Sequence, residues 1–436
     1  MSTQTVYQNK KIHYAWIIMI ACCLMTTASV GILGNSSGIF LQPVTETLGV
    51  GRGTFTLVLM LQGIITGICS PLAVKLIQTK NINVVCTLGY ILMVIPFGMM
   101  SQFNSILPFL GAGVFIGLGS SALMFVTVPL LINNWFKKKT GMVLGLTLAF
   151  SGIGAIVMNP VGAVLIANYG WRTTYIVFAI IIALLGIPMT AFVIKLRPED
   201  KGLKAYGAEE CVTEVTVNED SVTGVPKEIA MKSAAFKFAM LAALFMILSS
   251  VYAYHIPGYA TSVGLTPTFG ATMVSYAMFC NILCKFTMGG LSDKIGVQKT
   301  SLIIVAIVSA SFILLMLAKG NVVLNTIGGA LYGFVLPTTT MFMPLVIRSL
   351  FGTRDYGPLY GYVSIIVAIG ASCGSTIIGF VYDFTGAYTI AFMFGLVVIL
   401  LAGLMIVLAF RSGRRLKDIK ESTDTVEELL AALQKS

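Results

Sequence analysis

The chain has 436 residues, 57% of them hydrophobic and only 10% charged. Water-soluble globular domains carry about a quarter charged residues, so this composition excludes one and indicates a membrane protein. The formal charge of +11 would suit a nucleic-acid binder, but the placement of the charges assigns them to membrane orientation instead.

A membrane-crossing helix needs about 20 apolar residues. Twelve such stretches run along the chain: 14–34, 54–76, 82–101, 106–132, 141–166, 172–195, 234–258, 268–290, 299–318, 322–347, 357–381 and 387–410. The first outruns the core of a secretion signal and has no small-residue cleavage pattern, so it is expected to be retained. Twelve crossings put both termini and the even-numbered loops on one side. That side then holds 24 of the 28 basic residues, including Lys75, Lys80, Lys137 and Lys138. The other side holds Arg52, Arg172 and Lys319, and the remaining cation is Lys285, inside the eighth stretch. The asymmetry predicts an N-in, C-in topology.

The expected fold is an all-α membrane protein of twelve transmembrane helices in two six-helix pseudo-repeats. The halves are residues 1–195 and 234–410. Residues 196–233 hold eight acidic residues and no long apolar run, which makes them a cytoplasmic linker. Residues 411–436 form a cytoplasmic tail. Seven of the eight cysteines fall in helical stretches. Cys280 and Cys284 lie one turn apart without His or carboxylate neighbours, so apolar packing is expected, with no metal and no cofactor.

The halves carry an internal repeat. Gly141, Gly145, Gly154 and Gly170 recur 216 residues later as Gly357, Gly361, Gly370 and Gly386. Small residues also let membrane helices approach closely, and a duplicated helix packs in a duplicated way. Such duplication places a site between the halves near mid-membrane.

The eighth stretch ends in Gly289-Gly290-Leu291-Ser292-Asp293-Lys294-Ile295-Gly296. Glycine at a tight turn and a carboxylate at a helix terminus suit a latch between helices. This stretch resembles the cytoplasmic-loop signature of the major facilitator superfamily, G-x-L-[SA]-D-[KR]-x-G. The first half carries a decayed copy, Ser70 to Ile77, in which Val74 replaces the Asp and Ile77 the last Gly. A narrower resemblance lies in Asn134-Trp135-Phe136-Lys137-Lys138-Lys139 with Gly152-Ile153-Gly154, and in Tyr169-Gly170-Trp171-Arg172. His255 to Tyr259 and Tyr382 to Tyr388 add to it. These stretches are similar to the oxalate/formate antiporter and monocarboxylate transporter group.

All 17 acidic residues can be placed outside the membrane core, so Lys285 has no carboxylate partner at depth. A buried ammonium costs about 2.5–3.5 kcal/mol or more. Snorkelling to the cytoplasm is one resolution, because Asp293 lies only ~12 Å further along the helix. The other is a counter-charge for an anionic substrate. The resemblance favours the second, since the group carries a basic residue on helix eight for the substrate carboxylate. Asn281 sits one turn before Lys285 on the same face, where proton-coupled relatives carry an Asp. At an offset of 219 residues Gln62 matches Asn281 and Thr66 matches Lys285, so the positive site is one-sided.

His255 is either a packed, hydrogen-bonded group or a proton carrier or substrate contact. Tyr332 precedes Pro337 on helix ten, which lines the central cavity in this superfamily; packing and cavity roles are both open. Asn35, Phe125 and Ser364 are further candidates for substrate contact. Gly289, Asp293, Lys294 and Gly296 are the expected gating motif.

The lone intramembrane cation and the resemblance together imply a non-enzymatic, secondary or facilitative transporter of small organic monoanions, working by alternating access with protons as a possible coupling ion. A drug or hydrophobic-compound exporter of the same fold is the alternative. A dicarboxylate/formate exchanger is disfavoured, because helix eleven has an apolar run, Ile365 to Ile369, where the resemblance implies a second cation in dicarboxylate exchangers. The setting is the lipid bilayer of a bacterial cytoplasmic membrane, as a multi-pass monomer with no nucleic-acid partner. No set of intramembrane catalytic residues supports an enzyme.

Overall fold

The computed structural model describes residues 13–138, 140–208, 224–352 and 354–421, with side chains for all but residues 124, 125 and 415–421. Cys211, Lys139, the middle of the expected linker and the end of the tail lie outside the described residues.

The described residues are almost wholly helical. Successive long segments are α1 (Tyr14–Leu48), α2 (Arg52–Thr79), α3 (Ile82–Gln102), α4 (Ile106–Ala122), α5 (140–169), α6 (171–193), α7 (Ala234–Tyr254), α8 (Pro267–Ile295), α9 (Val297–Ala318), α10 (Val322–Phe351), α11 (Tyr356–Thr385) and α12 (Tyr388–Arg414). Among the described residues, ten helices are long and apolar enough to cross a membrane. One of these, Thr140–Val193, contains both α5 and α6. Gly170 parts them with φ 79° and ψ 163°, a conformation that glycine adopts without Cβ strain. Helix α4 continues through a π turn, Leu123–Thr127, into Val128–Trp135.

Three other long segments are interrupted along their length. Helix α1 passes through a π segment, Thr27–Gly34. Helix α7 loosens into a 3-10 turn, Val251–Tyr254, and resumes as Ile256–Ser262 with Pro257 in its first turn. Proline is tolerated there because its missing N–H has no helical partner to lose. Helix α10 breaks at Gly333–Val335 ahead of Pro337 and resumes through the π turn Thr338–Phe342; such 3-10 and π adjustments accommodate the backbone groups that a proline leaves unpaired.

Side chains pack into two cores. One draws on residues from Ala15 to Ile194, joined by Ala271; the other on residues from Val225 to Ala409, joined by Ala155. Repeated glycines face corresponding helices, Gly154 the backbone of α1 and Gly370 side chains of α7. A Cβ on Gly154 would meet Gly31 Cα of α1 at 3.3 Å, and one on Gly370 would meet Leu244 Cδ1 of α7 at 3.2 Å. Gly170 and Gly386 both have positive φ, 79° and 68°.

The chain between the cores is tied to each of them. Tyr206 N–H donates to Trp135 O at 2.9 Å, and Lys137 N–H donates to Tyr206 O at 2.9 Å. Val225 N–H donates to Phe351 O at 2.9 Å, and Lys227 N–H to Asp355 Oδ2 at 2.8 Å. Each described end of this connection is thus anchored beside the start of α5 or α11.

The cores touch at the end of the bundle that holds Arg52. A Cβ on Gly379 of α11 would lie 2.6 Å from Gly53 Cα of α2. Thr376 Oγ1 donates to Thr56 O at 3.1 Å, and Ser275 Oγ of α8 to Ile156 O of α5 at 2.9 Å. Thr261 also donates to Gln42. Toward the end that holds Asp293 the same helices diverge. A Cβ on Gly67, Gly145, Gly290 or Gly361 would meet nothing within 4 Å, and Ile68, Met142, Phe286 and Ile365 are exposed.

Candidate functional site

Lys285 sits on α8 between a packed face and an open one. Asn281 and Cys284 are buried, whereas Leu283 and Phe286 are exposed. Lys285 itself is half-buried. Gly152 of α5 packs on α8, where a Cβ would meet Ile282 Cδ1 at 3.0 Å. Gly145, two turns further, is already in open space. Lys285 lies in this interval, where α5 and α8 begin to part. Its ammonium makes no hydrogen bond or ion pair with a described residue.

Asn281 lies one turn away on the same face. Its Oδ1 is buried and has no hydrogen-bond partner among the described residues. An orphaned buried acceptor costs about 1–3 kcal/mol. Packed cores rarely leave one, so this side chain and Lys285 form an unsatisfied polar pair of opposite character, one acceptor and one cation.

The other expected contacts disperse. Gln62 is half-buried on α2 and lines an enclosed space with Leu33, Phe55, Phe97, Tyr175 and Tyr254. That space measures about 30 Å³, room for a water and not for an organic anion. Asn35 is half-buried, and its Nδ2 reaches Ser151 O at 3.5 Å. Ser364 donates to Tyr360 O of its own helix at 2.9 Å. Phe125 lies on the π turn of α4, its side chain outside the described ones.

Tyr332 is fully buried. Its hydroxyl donates to Ser250 O at 2.5 Å and accepts from Ala253 N–H at 3.1 Å. It therefore braces the broken part of α7 from across α10. His255 is also buried, at the joint where α7 loosens. Its Nε2 lies 2.9 Å from Ser375 O and 3.2 Å from Ser375 Oγ, and Nδ1 lies 3.4 Å from Tyr388 Oη. Both ring nitrogens face partners from α11 and α12. The position belongs to the closed Arg52 end.

In the gating motif, Gly296 ends α8 with φ 88° and donates to Ser292 O at 3.0 Å. Gly289 backs onto Met341, where a Cβ would meet Cε at 2.6 Å. Asp293 and Lys294 are exposed, and Asp293 makes no hydrogen bond to a described residue.

A second polar cluster lies at the opposite end, between Arg52 and the Tyr382–Tyr388 stretch, which the sequence marks by resemblance without pairing it to Arg52. Asp383, near the end of α11, accepts from Arg52 N–H at 2.8 Å and Gly53 N–H at 2.7 Å. The Arg52 guanidinium lies 4.1 Å from the Tyr382 ring centroid and donates to Tyr388 Oη at 2.6 Å. The contacting residues are more than 300 positions apart, so their pairing was not legible. Among the described residues there is no group of His, Cys, Asp or Glu that could hold a metal, and the seven described cysteines are free.

Against known proteins, the model of the Major Facilitator Superfamily matches residues 17–266 and 238–435. The chain belongs to the Major Facilitator Superfamily. Members of this superfamily are transporters and not enzymes, and the chain is a multi-pass membrane protein of that class. Monocarboxylate transporter 12-B of Danio rerio is 23% identical over 407 residues, covering 87% of this chain and 83% of that protein. Monocarboxylate transporter 12 of Mus musculus is 22% identical over 402 residues, covering 87% and 82%. An uncharacterized MFS-type transporter of Bacillus subtilis, YcxA, is 24% identical over 165 residues, or 38% of this chain and 40% of that one. Among solved structures, the nucleoside transporter NupG superposes with a TM-score of 0.67 at 12% identity, covering 91% of this chain and 98% of that one. A bacterial homologue of the human lysosomal transporter Spinster, inward-facing and unoccupied, gives 0.65 at 13% identity, covering 93% and 98%. At these identities the superpositions establish the superfamily fold.

Proposed function

We propose that this superfamily member carries small organic monoanions, with the Lys285 ammonium as the counter-charge for the substrate carboxylate. The observation that carries this reading is the half-buried ammonium without a partner among the described residues, one turn from the orphaned Asn281 Oδ1. A bound carboxylate satisfies the cation, and Asn281 Oδ1 can accept from a hydroxyl or other donor elsewhere on the substrate. A single point charge suits a monoanion, and a lysine sets carboxylate geometry less tightly than a bidentate arginine. The names of the animal relatives point to the same substrate class.

In this reading the twelve helical segments are twelve crossings, with both termini inside. The two cores are the halves 1–195 and 234–410, which rock about the site. The Arg52 end faces outward and is closed; the Asp293 end faces the cytoplasm and is open. Asn281 cannot take up and release a proton, so any proton coupling runs by a route other than a carboxylate at this position.

The test is uptake into proteoliposomes with a competition panel of formate, acetate, lactate, pyruvate and oxalate. Monoanions are expected to compete and oxalate to compete poorly. Lys285→Gln is expected to abolish uptake while Lys285→Arg keeps part of it. Undiminished uptake by the glutamine variant would remove Lys285 from the site.

A further inference from the structure

We propose that Asp383 is a gating residue: by capping the N-terminus of α2 across the interface between the halves, it holds the Arg52 end shut and sets the balance between the two access states. This goes beyond the substrate reading and does not depend on Lys285.

The cap has the geometry of a helix N-cap supplied in trans. Helix α2 begins at Arg52, and its first backbone N–H groups have no partner within the helix. The residue before it, Gly51, is extended at φ −65° and ψ 154°, and no side chain of the local chain caps the helix. Asp383 supplies what is missing, accepting from Arg52 N–H at 2.8 Å and Gly53 N–H at 2.7 Å. The carboxylate also sits at the positive pole of the α2 macrodipole. It can hold these positions only while α2 and α11 stay in contact, as they do where Gly379 meets Gly53.

The Arg52 side chain reinforces the same contact. Its guanidinium stacks over Tyr382 and donates to Tyr388 Oη at 2.6 Å. Every one of these partners lies in the second half, so separating the halves breaks all of them at once. Opening leaves two helix N–H groups, a carboxylate and a guanidinium to be resolvated. At the other end Asp293, also in the last turn of its helix, is exposed and free of hydrogen bonds to described residues. One carboxylate is engaged, and the other has no partner among the described residues.

The test uses single cysteine reporters in membrane vesicles, with an impermeant maleimide applied from the Arg52 side or the Asp293 side. The same chain without the added cysteine, with and without Asp383→Asn, gives the background from the eight native cysteines. Ser372→Cys reports the α2–α11 contact, because Ser372 is buried against Gly63. Ile365→Cys reports the open end, where Ile365 is exposed. Adding Asp383→Asn is expected to raise labelling at position 372 from the Arg52 side by at least about threefold, and to lower labelling at 365, as loss of a capping charge predicts. Unchanged labelling at both positions, or a rise at both, overturns the proposal; the second pattern is loosening without gating. Arg52→Pro against Arg52→Ala isolates the cap. Both remove the guanidinium, but only proline removes the first N–H, at a helix position and after an extended residue that accept it. Greater labelling at 372 in R52P than in R52A is expected, and equal labelling overturns the cap.

Discussion

The Tyr332 hydroxyl is engaged on both sides at the one stretch of α7 that lacks regular helical bonding. It donates to Ser250 O and accepts from Ala253 N–H. Tyr332→Phe leaves a buried donor and a buried acceptor unpaired, at a cost of about 1–3 kcal/mol. The variant is expected to melt at a lower temperature in detergent while its KM for the transported anion stays unchanged. A raised KM at unchanged melting temperature would put the ring in the substrate path. Residues of this kind are hard to read from sequence. A membrane helix is apolar on its packed, lipid and cavity faces alike, so composition marks Tyr332 near a kink without saying which face it is on. Lys285 was legible because a cation inside an apolar run has few ordinary explanations. Arg52 and Asp383 were legible as charges at helix ends, and their meeting depends on folding the two halves together.

At the scale of helices, the glycines of α11 record which contacts this conformation makes. A methyl at Gly379 would fall 2.6 Å from Gly53 Cα and 2.7 Å from its nitrogen, backbone that cannot swing away. A methyl at Gly361 would meet nothing within 4 Å. The same substitution on one helix gains the same intrinsic helix propensity, about 1 kcal/mol, so the difference between sites isolates packing. Gly379→Ala is expected to lower the melting temperature relative to Gly361→Ala. The reverse order would mean that α2 and α11 do not pack as described. The repeat at an offset of 216 residues was visible in the sequence and returns in Gly154 and Gly370, which face the corresponding helices α1 and α7. Pro257 and Pro337 lie at the breaks in α7 and α10, whereas Pro71 and Pro160 sit inside unbroken helices, so proline alone does not mark a break. The π segment of α1, Thr27–Gly34, contains no proline. It arises where Gly31 and Gly154 let α1 and α5 approach closely, which depends on both partners.

For the whole molecule, the arrangement makes one end of the interface a set of specific contacts and leaves the other apart. Alternating access requires the Arg52 end to separate in every cycle. A covalent bond there converts that requirement into a measurement. A Cβ at Gly63 would stand 3.1 Å from Ser372 Cβ, slightly inside the separation of about 3.5–4.5 Å that a disulfide spans. A shift of a few tenths of an ångström between α2 and α11 accommodates the bond. Oxidising Gly63→Cys/Ser372→Cys protein is expected to stop uptake in proteoliposomes, and reductant to restore it. Each single variant under the same oxidant controls for damage to the native cysteines, and substrate binding should survive cross-linking because the Asp293 end stays open. Uptake that continues through a fully cross-linked population would show that the cargo moves without parting α2 from α11, and the rocking of the two cores would have to be abandoned.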